Sequence, residues 1–121
     1  MSNVTELVEQ YFAAWNETDA KRRRDLIART WTDDASYLDP VMAGEGHVGI
    51  DAMIDGVQER FAGHQFRQTG DVDAHHNRLR FSWELAPEGG PAVVAGTDFG
   101  VVSADGRLQT ITGFIDQAPA A

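Results

Sequence analysis

The chain has 121 residues, of which 42% are hydrophobic and 24% charged, as expected for a single globular domain of roughly 100–150 residues. It has no cysteine, which excludes disulfides, thiolate nucleophiles and cysteine-ligated metals and fits a reducing compartment such as the cytoplasm. Its formal net charge is −9, and such a surface repels phosphate backbones and anionic lipid. We therefore expect a cytoplasmic protein that forms one domain over residues 1–121 and binds neither nucleic acid nor membranes.

Two helices are predicted at the start of the chain. Apolar residues recur three and four positions apart from Val4 to Trp15, which places them on one face of a first helix. A second helix is expected to follow an N-cap at Asp19 and to run to about Trp31. The basic run over 21–24 resembles a nucleic-acid patch, but its acidic neighbours and the negative net charge favour a solvated helix face.

A short strand and a third helix are predicted next. The strand covers 35–41, and Pro40 either ends it or restricts it to an edge of the sheet, because proline cannot donate a ladder hydrogen bond. A glycine-containing loop over 44–49 follows. Apolar residues at helical spacing then predict a helix over 49–62, with Gly63 as its stop signal.

From residue 66 onward the apolar period changes to two, which is typical of half-buried strands. Turn signals divide this half into four predicted strands, over 66–75, 78–86, 92–103 and 107–116, and only 117–121 are expected to fray. This order predicts an α+β fold in which a cone-shaped, curved antiparallel sheet wraps around three helices. The open end of the cone is a candidate pocket.

Several segments spread along the whole chain carry a family signature. The first helix reads QYFAAWN over 10–16, the first strand reads LDPV over 38–41, and a later strand reads VVAGTD over 93–98, ahead of a DGR turn at 105–107. Together they resemble the SnoaL-like and ketosteroid isomerase-like branch of the nuclear transport factor 2-like superfamily. The Asp-Pro and Asp-Gly-Arg signatures among them are shared by SnoaL-like proteins generally, so they indicate the fold more strongly than the reaction.

The resemblance implies a catalytic site. In ketosteroid isomerases an Asp before Pro is the general base, and a Tyr together with a protonated Asp forms the oxyanion hole. By that likeness Asp39 matches the base, and Tyr11 and Asp98 match the oxyanion donors, with no cofactor and no metal. One departure lies beside Asp98: Gly96-Thr97 stand where the isomerases have a bulkier, more apolar pair. A wider or wetter pocket there would weaken the desolvation that keeps Asp98 neutral.

Each of these three residues also has a structural interpretation. Asp39 fits a cap of the turn into Pro40, as Asp-Pro pairs commonly provide. Asp98 fits a structural hydrogen-bonding carboxyl, and both faces of its strand are apolar, so the pattern does not settle its exposure. Tyr11 lies on the apolar face of the first helix and fits a core tyrosine with a satisfied hydroxyl.

Aromatic side chains are numerous enough to line the pocket, although they serve equally well as ordinary core residues. The predicted pocket residues, aromatic apart from one histidine, are Phe12, Trp15, Trp31, Phe61, His75, Phe81, Trp83 and Phe114. The histidines show no metal-ligand spacing, so no metal site is predicted.

Two functions of different classes fit these residues. In the first, the protein is an isomerase or polyketide cyclase-like enzyme for an apolar carbonyl compound: Asp39 removes a proton beside the carbonyl, while Tyr11 and neutral Asp98 stabilise the enolate oxygen. In the second, it is a non-catalytic module that binds a hydrophobic ligand or a protein partner. Epoxide hydrolysis ranks last, because no arginine lies matched between suitable carboxylates. Proteins resembling this family often dimerise through the sheet, so a homodimer is expected.

Overall fold

A computed structural model describes residues 4–118 as three helices packed against one seven-stranded sheet. The elements, in chain order, are α1 (Val4–Asn16), α2 (Ala20–Thr30), β1 (Trp31–Leu38), β2 (Ala43–Glu45), α3 (Gly46–Arg60), β3 (His64–Gln68), β4 (Asp73–His75), β5 (Arg78–Pro87), β6 (Val94–Val102) and β7 (Leu108–Gln117). The predicted α+β class, with a curved sheet and three helices, is confirmed. Within the described residues, no helix is both long enough and apolar enough to cross a membrane.

The sheet is mixed, and the prediction of a wholly antiparallel sheet is wrong. Its strand order is β2-β1-β7-β6-β5-β3, with β4 paired to β5. The pair β1–β7 is parallel, because the last strand of the meander inserts beside β1 in the same direction. The pairs β5–β6 and β6–β7 are antiparallel, as the meander predicts. Parallel pairing with β7 carries the end of β1 into the middle of the sheet.

Local signals place the helices well and the strand boundaries less well. Helix α2 begins after Asp19, whose side chain accepts a hydrogen bond from the Arg22 N–H at 2.9 Å, so the predicted N-cap is confirmed. The helix ends at Thr30, and the next residues already belong to β1. The predicted strand over 66–75 is two strands, separated by a loop in which Gly70 has a φ of 98°. Gln117 belongs to β7, and 119–121 lie outside the described residues.

The basic run on α2 is not uniformly solvated. Arg23 is only 3% exposed, and its guanidinium lies 2.7 Å from Asp51 and 3.3 Å from Asp55 on α3. It also donates to Gln58 at 2.8 Å. A buried charge of this kind requires partners on every side, so Arg23 joins α2 to α3 and is not part of a solvated face. The other three residues of the run are exposed.

The core fills the space between α1, α3 and the inner face of the sheet. The alternation in β5 directs Leu79, Phe81, Trp83 and Leu85 inward, and all four are buried, as the period of two predicts. Tyr11 from α1 meets this layer, with its ring 5.1 Å from that of Phe81. The first helix therefore supplies aromatic groups to the same interior that receives the inward side chains of β5 to β7.

Candidate active site

Two carboxylates meet at the centre of the sheet. Asp39 directly follows β1, Asp98 lies in β6, and β7 runs between them, with Leu38 opposite Thr112 and Asp98 opposite Gly113. Both carboxylates are buried, at 8% and 2% exposure. A Cβ at Gly113 would lie 2.8 Å from Asp98 Oδ1 and 3.2 Å from the Asp39 Cβ. The glycine therefore leaves the space in which the two side chains face each other.

Asp98 is held by two donors from different elements. Tyr11 Oη donates to one carboxylate oxygen at 2.6 Å, and Trp83 Nε1 donates to the other at 2.9 Å. Burial raises the pKa of Asp98 to about 6; the two hydrogen bonds act in the opposite direction, and the nearby charge of Asp39 adds to the rise. The structure thus settles the orientation that the sequence leaves open: Asp98 points inward.

Asp39 both caps a turn and faces a tyrosine. Its Oδ1 accepts the backbone N–H groups of Val41 and Met42 at 2.9 and 3.0 Å, so the turn-capping interpretation is confirmed for this oxygen. Its Oδ2 accepts the hydroxyl of Tyr37 at 2.7 Å. Burial, followed by the charge of Asp98 and the bond to Asp39, raises the pKa of Tyr37 far above its ordinary value, which keeps this hydroxyl a donor.

Sequence reasoning missed Tyr37. The signal was available, because residues two apart in a strand point to the same face, and Tyr37 precedes Asp39 by two. The pattern of β1 buries Ala35 and Tyr37 while Leu38 is 56% exposed. Tyr37 is therefore the phenol that fixes the carboxylate of Asp39, as Tyr11 fixes that of Asp98.

Two cavities adjoin these carboxylates. The inner one has a volume of about 20 Å³, room for about one water-sized atom. It is lined by Tyr11, Phe12, Trp15, Tyr37, Met42, Phe66, Trp83 and Asp98. The outer one is an open cleft of about 410 Å³, within the range of small-molecule sites. Met42 and Phe66 line both cavities and so lie between them.

The outer cleft has an apolar wall and two charged residues. Its apolar lining includes Met53, Val57, Phe61, Leu85, Val94 and Ile115. Among the cleft's described lining residues, only Asp39 and Arg60 carry a formal charge. The Arg60 guanidinium lies 5.5 Å from the centre of the Phe61 ring. Sequence reasoning named Phe61 but missed the rest of the α3 wall, although Met53 and Val57 are four residues apart and share a helix face.

The predicted aromatic residues divide between the cavities and the core. Phe12, Trp15 and Trp83 line the inner cavity, and Phe61 lines the outer cleft. Two others lie behind Tyr11 as core residues, with their rings about 5 Å from its ring: Trp31 at 5.3 Å and Phe81 at 5.1 Å.

Two predicted pocket residues lie outside the pocket. Phe114 is 58% exposed on the outer face of the sheet, because it follows the inward-facing Gly113 in β7. His75 is exposed in β4, a three-residue strand that pairs with the start of β5. Among residues 4–118, no group of three His, Asp or Glu side chains is arranged to hold a metal ion.

The departure at Gly96-Thr97 does not widen the pocket beside Asp98. A Cβ at Gly96 would overlap the indole ring of Trp83, so this ring occupies the space that the glycine leaves. The same ring donates its N–H to Asp98. Gly96, two residues before Asp98, therefore makes room for a large aromatic group, and the carboxyl stays desolvated.

Three helices on a curved mixed sheet, with a pocket at the inner face, define the nuclear transport factor 2-like class of fold. A protein of this class from Exiguobacterium sp. 255-15 superposes with a TM-score of 0.72 at 19% identity, covering 91% of this chain and 98% of its own. Within the class, the sequence profile of the SnoaL-like domain matches residues 8–111. The chain belongs to the SnoaL-like family.

Two similar solved structures come from proteins with a suggested activity. A candidate isomerase of the SnoaL-like family from Agrobacterium tumefaciens is 41% identical, with a TM-score of 0.88 over 93% of this chain and 96% of that one. A candidate polyketide cyclase from Sinorhizobium meliloti is 16% identical, with a TM-score of 0.68 over 89% and 93%. At that identity the second shows the fold alone. A search of curated proteins found no significant match.

Proposed function

We propose that the protein is an isomerase or cyclase that removes a proton from the carbon beside the carbonyl group of an apolar compound. One observation carries the proposal: Asp39 lines the apolar cleft, and its side chain lies across Gly113 from Asp98, which accepts a hydrogen bond from Tyr11. A base, a cleft for the carbon framework and donors for the developing oxyanion are the three parts that enolate chemistry requires.

Asp39 acts as the base. Three accepted hydrogen bonds hold its carboxylate in one orientation, so little reorganisation is needed before proton transfer. The proton of the substrate carbon passes to this carboxylate, and the electron pair of the C–H bond moves through the carbon onto the carbonyl oxygen as an enolate. An isomerase returns the proton to another carbon. In a cyclase the enolate carbon bonds to the carbon of a second carbonyl group, and the alkoxide formed there takes up the proton held by Asp39.

Tyr11 and Asp98 act in series on the enolate oxygen. When Asp98 carries a proton, it donates to the Tyr11 oxygen, and the hydroxyl hydrogen of Tyr11 is released toward the ligand. A pKa of about 6 for Asp98 brings this reversal within reach near neutral pH. The arrangement supports a donor role for both residues, with Asp98 acting through Tyr11.

Tyr11→Phe is expected to weaken phenol binding about tenfold, since one hydrogen bond to a developing charge contributes roughly 1.4 kcal/mol. A phenolate oxygen mimics the enolate oxygen, so planar phenols up to 2-naphthol are suitable probes. Affinities would be measured by quenching of tryptophan fluorescence, with naphthalene as the ligand that lacks the oxygen. Equal phenol affinities of wild type and variant would remove the oxyanion role of Tyr11, and an absence of phenol binding would contradict an oxyanion site at Tyr11 and Asp98.

The non-catalytic alternative rests on a specific observation. The inner cavity is small, and both carboxylates are already hydrogen-bonded to neighbouring side chains, as in a structural core. A module that only binds an apolar ligand in the outer cleft would need no proton transfer. This alternative predicts that replacing Asp39 changes neither ligand affinity nor any rate.

We further propose that the protein acts in the cytoplasm, consistent with its lack of cysteine, as a homodimer joined through the outer face of the sheet. Leu38, Phe99 and Phe114 are 56%, 40% and 58% exposed there. Leu38 and Phe99 flank Thr112 on neighbouring strands, and Phe114 lies two residues further along the same strand as Thr112, so the three exposed apolar side chains lie close together on one face. Contiguous apolar surface of this kind is typical of protein interfaces.

Phe114→Asp is expected to convert a dimer into a monomer, because it would place two unpaired carboxylates in an apolar interface. Light scattering after size-exclusion chromatography would show a mass falling from about twice 13.3 kDa to 13.3 kDa. Val48→Asp is the matched control, since Val48 is 86% exposed but lies on α3. A wild-type protein that is monomeric across the concentration range would contradict the proposal.

A further inference from the structure

Trp15 carries a buried polar group that the fold does not use. Its side chain on α1 is 3% exposed, yet its indole N–H has no hydrogen-bond partner. Buried N–H groups in proteins are nearly always paired, with protein atoms, with ordered water or with a ligand. The indole N–H of Trp15 therefore identifies a place where an acceptor is missing from the protein itself.

The indole of Trp15 borders the inner cavity, next to Tyr11 and Asp98. The N–H lies near the Tyr11 oxygen and favours the ionised form of that phenol, but the two groups do not meet the geometry of a hydrogen bond. The cavity's other side-chain donors are already engaged: Tyr37 bonds to Asp39, and both Tyr11 and Trp83 bond to Asp98. Among the described residues that line the cavity, Trp15 contributes the side-chain N–H donor without an acceptor.

The size of the cavity indicates what it holds. At about 20 Å³ it accommodates one oxygen-sized atom and no carbon framework. The cleft beyond Met42 and Phe66 offers about 410 Å³ of mostly apolar space for the remainder of a ligand. An apolar compound bearing one oxygen acceptor, with its oxygen in the inner cavity and its rings in the cleft, matches both volumes.

We propose that the indole N–H of Trp15 donates a hydrogen bond to the ligand's carbonyl or enolate oxygen in the inner cavity, beside the hydroxyl of Tyr11. This inference rests on the proposed function, because it names a second hydrogen-bond donor to the same ligand oxygen. It also defines the ligand class: an apolar compound whose sp² oxygen enters first and accepts from two donors at once. Two donors aimed at one oxygen stabilise developing negative charge more than one does.

Trp31 shows that an unpaired indole N–H does not by itself identify a ligand site. Its indole N–H also has no hydrogen-bond partner, but this side chain is fully buried and lines neither the inner cavity nor the outer cleft. The cavity is thus the second observation that distinguishes Trp15. The same comparison makes Trp31→Phe a matched control, since it removes an unpaired indole N–H away from the cavity.

The test follows the indole N–H signals of nitrogen-15-labelled protein during titration with 2-naphthol. The chain has three tryptophans, so the three indole signals are assigned with Trp15→Phe and Trp31→Phe. We expect the Trp15 signal to move downfield with 2-naphthol and much less with naphthalene, while the Trp31 signal stays in place. Saturation with 2-naphthol that leaves the Trp15 signal unmoved, or moves it equally with naphthalene, would overturn the inference.

Affinities give a second readout. Trp15→Phe is expected to weaken 2-naphthol binding about tenfold and to leave naphthalene binding nearly unchanged, whereas Trp31→Phe alters neither. If binding of both ligands weakened equally, the variant would have lost packing around Trp15 and not a hydrogen bond to the ligand, which would overturn the inference.

The results also separate this inference from the proposed function. Binding that depends on Tyr11 but not on Trp15 removes only the inference, and the reverse removes only the role of Tyr11. An absence of 2-naphthol binding overturns the inference. The proposed function is then tested independently by the rate at which Asp39 variants exchange the α-protons of a ketone.

Discussion

Asp39→Asn is expected to slow the exchange of α-protons of an apolar ketone by about 10²- to 10⁴-fold, the usual contribution of a positioned general base. The amide cannot accept a proton at neutral pH, whereas the carboxylate in the cleft wall can. The effect falls on the rate of proton transfer, because an asparagine has the same shape and leaves the cleft unchanged. Ligand affinity should therefore change little.

The variant is expected to fold, which makes the rate interpretable. An asparagine retains the Oδ1 acceptor that caps the turn at Val41 and Met42. The new amide faces the Tyr37 hydroxyl, which rotates to accept where it donated before. A thermal melt close to that of wild type would confirm that only the chemistry of the side chain has changed.

The measurement is the loss of α-proton signal of 2-tetralone in heavy water, followed by proton NMR with the buffer rate subtracted. Asp71→Asn, at an exposed position, is the control that removes a carboxylate from elsewhere in the chain. Wild-type protein that does not accelerate the exchange, or an Asp39→Asn variant as fast as wild type, would favour the binding-only alternative. A loss confined to Asp39→Asn assigns the base.

The parts of the fold that local pattern decides could be predicted, and the parts that pairing decides could not. The apolar stripe of α1 and the alternation in β5 each bury one face, so their periods identify the elements. Strand β2 has three residues and forms by pairing with β1, as in Tyr37 opposite Gly44, and the sequence pattern around it indicates only a loop. The parallel contact of β1 with β7 joins segments about 70 residues apart and has no local signal.

The site divides in the same way. Asp39, Tyr11 and Asp98 were named from a family resemblance. The structure places Asp39 and Asp98 on either side of Gly113, and Tyr11 donates to Asp98. For Arg23 the prediction gave more importance to charge than to position on the helix. Its charge suggested a solvated face, but Arg23 lies four residues before the buried Ile27, and helical spacing alone would have directed it to the interior.

Asp98 is expected to make the protein less stable as the pH rises from 4 to 7. Its pKa of about 6 in the folded protein lies above the ordinary value of 3.8, chiefly because of burial. Between these two values the folded protein holds a proton that the unfolded chain releases, so the free energy of unfolding falls as pH increases. At about 1.4 kcal/mol per pKa unit, the loss is up to roughly 3 kcal/mol and is complete once the pH passes the folded pKa.

Urea unfolding of wild type and Asp98→Asn at several pH values isolates this effect, because the variant has no proton to exchange at this position. The difference in unfolding free energy, wild type minus variant, should fall across the window from pH 4 to 7, while the matching difference for exposed Asp71→Asn stays level. A level or rising difference for Asp98 would show that the folded protein does not hold the proton. The donor relay from Asp98 through Tyr11 to a ligand oxygen depends on that proton, so the same result would also remove the first step of the relay.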